Sequence, residues 1–386
     1  MNASNPPLSD MSRRAALGTM AATALTVTAA AGAATAAAAP AAGTRTGAAD
    51  AVLGTGTRSF PSTRLRQSTE SGPLETGFPL SHVAVQWTGA ARGGRIRFLS
   101  ADGAPGAWQR VRPGCVAGRD TARGGAQGHS AVSAMVAAPA RAYGYEIEPP
   151  VDAADVRSVA LDTMAGPQRS QVRAERRVPR WATNVPYLSR ADWGADESLR
   201  FLPDGTENTP TAYYPAQVMS VHHTAGRNDD PDPAATVRAI YAYHALINDW
   251  GDIGYHFLID AEGRVYEGRW SGTDGTPAHN AEGKLVTAFH AAGYNSGNLG
   301  VALLGTYTDR APSAAARASL VTVLAAHAQT HGLDATATTT FVNPVNGVTK
   351  RNPVLSGHRD WLTTECPGGT LYADLPKLRT LVGRPA

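Results

Sequence analysis

The chain has 386 residues, room for a targeting segment and about two globular domains at roughly 100–200 residues each. Charged residues make up 17% of it and the formal net charge is +3, too weak and dispersed for a nucleic-acid footprint, so no nucleic-acid partner is expected. The only cysteines, Cys115 and Cys366, fall on opposite sides of an evident domain boundary, which argues against a disulfide framework.

Arg13 and Arg14 precede an alanine-rich apolar run from Ala15 to Ala39, and residues 1–42 read as an export signal. The stretch Ser12-Arg13-Arg14-Ala15-Ala16-Leu17 resembles a twin-arginine signal, with Ala16 in place of the commoner aromatic. A general secretory signal and an N-terminal anchor are the alternatives. The run is rich in alanine and poor in leucine, which suits no stable membrane span in the mature protein. A secreted, extracellular monomer is expected.

Residues 43–77 are rich in Gly, Ala, Ser, Thr and Arg without apolar periodicity and read as a flexible lead that carries no chemistry. Over 78–166, short alternating stretches recur between Gly-rich turns: Val83, Val85 and Trp87; Ile96 and Phe98; Tyr143, Tyr145 and Ile147; Val156 to Leu161. That spacing predicts a β-sandwich-like, all-β domain. It groups no catalytic residue types, so binding or spacing is its expected role. An Arg- and Gln-rich linker follows over 167–180.

The domain over 181–386 has a different pattern. Gln217 to His223 reads as a strand, and Asp232-Pro233 starts an amphipathic helix to about Asp249. Tyr255 to Asp260 reads as a strand turning into Arg264 to Glu267, and Leu299 to Leu304 as a fully apolar strand. Ser313 to His331 is an alanine-rich helix stopped by Gly332, and Leu371 to Val382 is a closing helix. Strands alternating with helices predict an α/β fold, a mixed central sheet flanked by helices.

Metal-capable groups occur in three places: His222-His223 at a strand end, His256, and His358 followed by Cys366. Any one alone is more often packed than a ligand. A run of motifs then resembles the family of peptidoglycan recognition proteins and type 2 N-acetylmuramoyl-L-alanine amidases. The matching stretches are Ser189-Arg190-Ala191-Asp192-Trp193-Gly194-Ala195, Val221-His222-His223-Thr224-Ala225, Ile253-Gly254-Tyr255-His256-Phe257 and Val265-Tyr266-Glu267-Gly268-Arg269. Further on come His290-Ala291-Ala292-Gly293-Tyr294-Asn295, Gly300-Val301-Ala302-Leu303-Leu304-Gly305, and Gly357-His358-Arg359-Asp360 with Thr364-Glu365-Cys366-Pro367-Gly368.

The resemblance implies a zinc amidase that cuts between N-acetylmuramic acid and L-alanine, with peptidoglycan as partner and His222, His358 and Cys366 as the Zn2+ ligands. Two imidazoles and a thiolate suit zinc, and three protein ligands leave a fourth position open, as at catalytic sites. His222 and His223 point to opposite strand faces, so only one should ligate. Family position favours His222, with His223 packing or hydrogen-bonding behind it. The same resemblance makes Tyr255 the catalytic tyrosine, against the plainer reading of a strand aromatic, and gives Thr364 a catalytic hydroxyl where some members carry lysine. His290, Asn295 and Trp270 are the candidate substrate contacts, each of which could instead stabilise its loop, and His256 is read as structural. Two rivals are a non-catalytic peptidoglycan-binding module, against which Cys366 argues, and a zinc hydrolase of another small amide.

Overall fold

Alternation of side chains along extended backbone builds the first domain. The computed structural model describes residues 51–53, 56–88, 94–112, 114, 118–120, 131–173, 176–178, 185–273 and 276–383. The expected signal over 1–42 and Cys115 lie outside them. The strands are β1 (Arg64–Ser68), β2 (Leu74–Glu75), β3 (His82–Thr88), β4 (Arg95–Ser100), β5 (Gln109–Arg110), β6 (Ala131–Ala137), β7 (Ala142–Glu148) and β8 (Ala154–Asp162). They form two four-stranded antiparallel sheets, ordered β1-β8-β3-β6 and β2-β7-β4-β5.

Val83, Val85 and Trp87 of β3 face Ile96, Phe98, Tyr145 and Ile147 across the sandwich. The opposite face of the same sheet is also covered. Ala84, Val159 and Leu161 pack on Ala239, Ala242 and Tyr243 of the second domain. The ring of His82 meets Thr236 through Nε2 at 2.9 Å, and Thr163 Oγ1 donates to the Ala235 carbonyl at 3.0 Å.

Three expectations change here. The lead over 43–77 contains β1 and β2 and a strand Gly56–Pro61, and the linker over 167–180 contains strands Gln168–Arg173 and Arg176–Val178. Gly56–Pro61 pairs with Gln168–Arg173, and Ala51–Leu53 with Arg176–Val178, so each segment finds its hydrogen bonds about a hundred residues away. Tyr143 points out to solvent, because the β4–β7 register shifts at Leu99/Ser100 and Ala142 takes the inward position.

The second domain is α/β, as expected. Its strands are β9 (Val218–His223), β10 (Phe257–Ile259), β11 (Val265–Glu267), β12 (Asn298–Leu303) and β13 (Leu355–Gly357), in the order β11-β10-β12-β9-β13. Only the β10–β11 pairing is antiparallel among these five. Every residue of β9 and β12 is buried, the mark of parallel strands covered on both faces.

Helix α1 (Pro233–Ala242) begins at Asp232, whose side chain accepts the Ala235 N–H, and continues as a π turn over Tyr243–Ile247. Helix α2 (Ala314–His331) is capped by Ser313 and ended by Gly332 at φ 61°. With α3 (Gly369–Val382) it covers one face of the sheet, where Met219, Val221, Leu299, Val301 and Leu303 meet Leu320, Leu324, Leu371 and Leu375.

Candidate metal centre

Strand alternation sorts β9 into two sets. Met219 and Val221 enter the core under α2, whereas Ser220 and His222 face the other way. Parallel pairing sets Val221 opposite Gly357, so His358, the next residue after β13, arrives beside His222 at the carboxyl ends of adjacent strands. This is where open α/β sheets collect functional groups.

The turn after His358 returns Cys366 to the same point. Arg359 N–H donates to the Cys366 carbonyl at 3.0 Å, and the Cys366 N–H to Thr364 Oγ1 at 3.2 Å. The ligand-capable atoms of His222, His358 and Cys366 lie within 4.8 Å of one another, all three residues buried. His222 Nδ1 is 3.7 Å from Cys366 Sγ, and the His222 and His358 rings are 4.5 Å apart by centroid.

These groups fit a metal ion on two grounds. Both ring nitrogens of His358 are buried without a hydrogen-bond partner among the described residues, a state rarely left unsatisfied in a protein interior. The backbone N–H of His223 points at Cys366 Sγ from 3.3 Å, which favours the thiolate. His223 itself is turned away. Its Nδ1 accepts the Tyr307 N–H at 3.2 Å.

His290 stands behind His222. Its Nε2–H donates to the Asn298 carbonyl at 2.9 Å, so its Nδ1 accepts, and His222 Nε2 donates to it at 3.0 Å. That chain of hydrogen bonds fixes the His222 tautomer and directs the Nδ1 lone pair toward Cys366 and His358. Burial, with His222 alongside, holds His290 well below the usual imidazole pKa. Gly300 makes room for this ring: a Cβ there would stand 2.5 Å from His290 Cγ.

Tyr255 is buried just before β10, its ring 5.4 Å from that of His222 and 5.7 Å from that of His244. His256 also precedes the strand rather than lying within it. It accepts the Gly300 N–H at Nδ1 (2.9 Å) and donates from Nε2 to Val286 O (2.6 Å). Burial pushes its pKa down to about 3, so the ring is a neutral structural link, as expected.

The three candidate substrate contacts all have partners within the protein. His290 and Asn295 are wholly buried. Asn295 Oδ1 accepts the Ala291 N–H at 2.7 Å, while its Nδ2 donates to Gly118 O (2.7 Å) and Asp120 Oδ1 (2.9 Å) of the first domain. Trp270 is half-buried under the Arg200 guanidinium, 4.5 Å above its ring, and its backbone N–H donates to Asp252 Oδ2 at 2.8 Å. Asn295 braces its loop against the first domain, while His290 stands against His222.

Two contributors escaped the sequence reading. His244, partly exposed on the π turn, accepts the Gly254 N–H at 3.0 Å and lies against Tyr255. Arg190, within the Ser189–Ala195 motif, is buried and donates to Glu197 (2.8 and 3.1 Å), Asp252 (2.9 Å) and Gly268 O (2.6 Å). Asp252 in turn caps the Ile253 N–H at 2.7 Å, two residues before Tyr255 is reached.

Residues 212–369 match the family model described as N-acetylmuramoyl-L-alanine amidase. The chain is similar to peptidoglycan-recognition protein SC2 of Drosophila melanogaster, 29% identical over 193 residues, which are 50% of this chain and 85% of that protein. It is also similar to N-acetylmuramoyl-L-alanine amidase of Homo sapiens, 32% identical over 165 residues, covering 41% of this chain but only 23% of that protein. Among solved structures, wild-type Drosophila PGRP-LB aligns with 26% identity over 50% of this chain and 92% of that one, at a TM-score of 0.36.

The matched segment contains the whole His222, His358 and Cys366 cluster. The matches support the amidase and peptidoglycan recognition family for the second domain, and with it peptidoglycan binding or amidase-type chemistry. No helix of the described residues is long and apolar enough to cross a membrane.

Proposed function

We propose that the chain belongs to this family and hydrolyses the amide between N-acetylmuramic acid and L-alanine in peptidoglycan, with Zn2+ held by His222, His358 and Cys366. The convergence of three buried ligand-capable groups, His358 with neither ring nitrogen otherwise engaged among the described residues, carries the reading. A zinc ion with an open fourth position supplies a Lewis acid that polarises the carbonyl and lowers the pKa of water from 15.7 toward about 7.

The protein's own groups do the rest. His290 keeps His222 in the ligating tautomer, and the His223 N–H steadies the Cys366 sulfur. Tyr255 offers a phenol O–H to the oxygen that becomes negative as the carbonyl is attacked, a donor more useful in the transition state than in the substrate. Thr364 positions Cys366 through its hydroxyl oxygen and keeps a hydroxyl proton to donate. Water adds across the amide: the carboxylate stays on the lactyl group of the sugar, and the amine leaves with L-alanine after gaining a proton. The first domain, docked on α1 and holding Asn295 through Asp120, acts as a support for the catalytic one. The Arg13-Arg14 pair supports export of the folded, secreted protein.

The test is release of stem peptides from purified peptidoglycan. Release should stop on chelation and return with Zn2+. Release that persists through chelation would refute the zinc reading, and binding of fragments without release would favour a recognition module. His290→Ala should lower affinity at the His222 cluster by about 10- to 100-fold, the usual cost of losing a ligand's hydrogen-bond partner, read by competition with a chromophoric chelator. An unchanged affinity would show that His290 does not set the His222 ring.

A further inference from the structure

A second cluster of imidazoles lies apart from the first. His327 falls on the buried stripe of α2 formed by Leu320, Val323, Leu324 and Ala328, and His331 follows one turn later. Side chains four residues apart on a helix share a face, so the two rings come together, 4.4 Å by centroid. His279, from the loop between β11 and β12, brings a third ring to 5.0 Å from His331 and 5.4 Å from His327. One ring nitrogen from each lies within 4.8 Å of the others.

His279 Nδ1 lies 3.0 Å from the Pro277 carbonyl, which only accepts, so Nδ1 carries the proton and Nε2 presents its lone pair to the cluster. His279 Nε2 is 2.9 Å from His331 Nε2. His327 is 4% exposed, and neither of its nitrogens has a hydrogen-bond partner among the described residues. A packed trio of neutral histidines accounts for the His279–His331 contact and leaves His327 unexplained, since buried polar groups find partners.

We propose that His279, His327 and His331 form a second metal site, a three-imidazole site for a late first-row divalent cation, Zn2+ foremost. Three neutral nitrogen donors without thiolate or carboxylate suit Zn2+, Ni2+ and Cu2+ and do not suit Mg2+ or Ca2+. Bonds of about 2.0–2.1 Å set the nitrogens of a tetrahedral site roughly 3.4 Å apart, a spacing that small ring rotations reach from the separations seen. A carbonyl that holds the far nitrogen of a ligating histidine, as Pro277 holds His279, is the usual outer partner at such sites. Burial keeps the rings in the neutral, ligating form, pushing His279 down to about 4 and His327 well below its ordinary value. His331 is only half-buried, so ions enter on its side and water fills the fourth position.

The ion clips the C-terminal turn of α2 to the loop that carries Val286. That loop's carbonyl holds His256, and His256 holds Gly300 beneath His290. The second site is thus structural, and it is independent of the proposed amidase.

The test counts metal in untagged protein equilibrated with Zn2+ and freed of excess. The wild type should hold two equivalents, His331→Ala one, and His358→Ala/Cys366→Ser one. In the latter background Zn2+ should raise the thermal midpoint, and adding His331→Ala should abolish the rise. With Co2+ in place of zinc, His331→Ala should drop from two equivalents to one while keeping the thiolate-to-cobalt charge-transfer band, which needs no variant at the first cluster. Two equivalents in His331→Ala, or a wild-type count that His331→Ala leaves unchanged, overturns the proposal; a single wild-type equivalent lost in His331→Ala and kept in His358→Ala/Cys366→Ser would sink the first site and leave the second standing.

Discussion

Cys366→Ser should remove one equivalent of zinc and lower peptidoglycan amidase activity by more than about a hundredfold, beyond what loss of an outer hydrogen-bond partner costs. The serine hydroxyl keeps the volume but is not a thiolate donor, and three ligands reduced to two imidazoles no longer close around the ion. The His223 N–H, 3.3 Å from Sγ, stabilises a negative sulfur and has no such charge to meet on serine. Cys115→Ser makes the same chemical change outside the described residues and should leave both quantities intact. Metal analysis and stem-peptide release on the two variants decide the matter; equal activity of Cys366→Ser and wild type removes the cysteine from the proposed site.

Arg190→Ala should destabilise the protein by about 3 kcal/mol, because it leaves the buried Asp252 carboxylate without its direct cation and breaks the fork on Glu197. Arg190 is itself buried, with Tyr241 5.0 Å beneath its guanidinium, so the loss includes packing. Arg190→Lys should rescue little, since one ammonium cannot span Glu197, Asp252 and the Gly268 carbonyl. In thermal unfolding the alanine variant should melt about 6–12 °C lower, at 2–4 °C per kcal/mol for a domain of this size. A loss below about 1 kcal/mol would show that the carboxylates keep enough other partners, as Glu197 does in Arg200 at 2.9 Å. The loop also carries Tyr255, so activity should fall along with stability.

Much of the second domain was legible. The alternation in β9 separated His222 from His223, and Asp232, Ser313 and Gly332 marked helix ends through their own side-chain or backbone chemistry. The protein partners of the candidate substrate contacts were not legible, because a polar residue in a loop reads the same whether it faces ligand or protein. Asn295 is held by Asp120, 175 residues away, and nothing near either one signals the other. The lead and linker were misread for the same reason: Gly56–Pro61 and Gln168–Arg173 become strands only when they meet.

What the sequence by itself determined is what local periodicity and donor chemistry can carry: a β-rich domain, an α/β domain, and one set of three metal-capable side chains in recognisable motifs. The tertiary structure alone decided which residues stand behind that set. His290 became the partner of His222, Gly300 the space for its ring, and His279 the companion of a helical His327–His331 pair. Those roles depend on parallel strand register and on loops crossing large sequence distances, and such contacts leave no trace in the spacing of neighbouring residues.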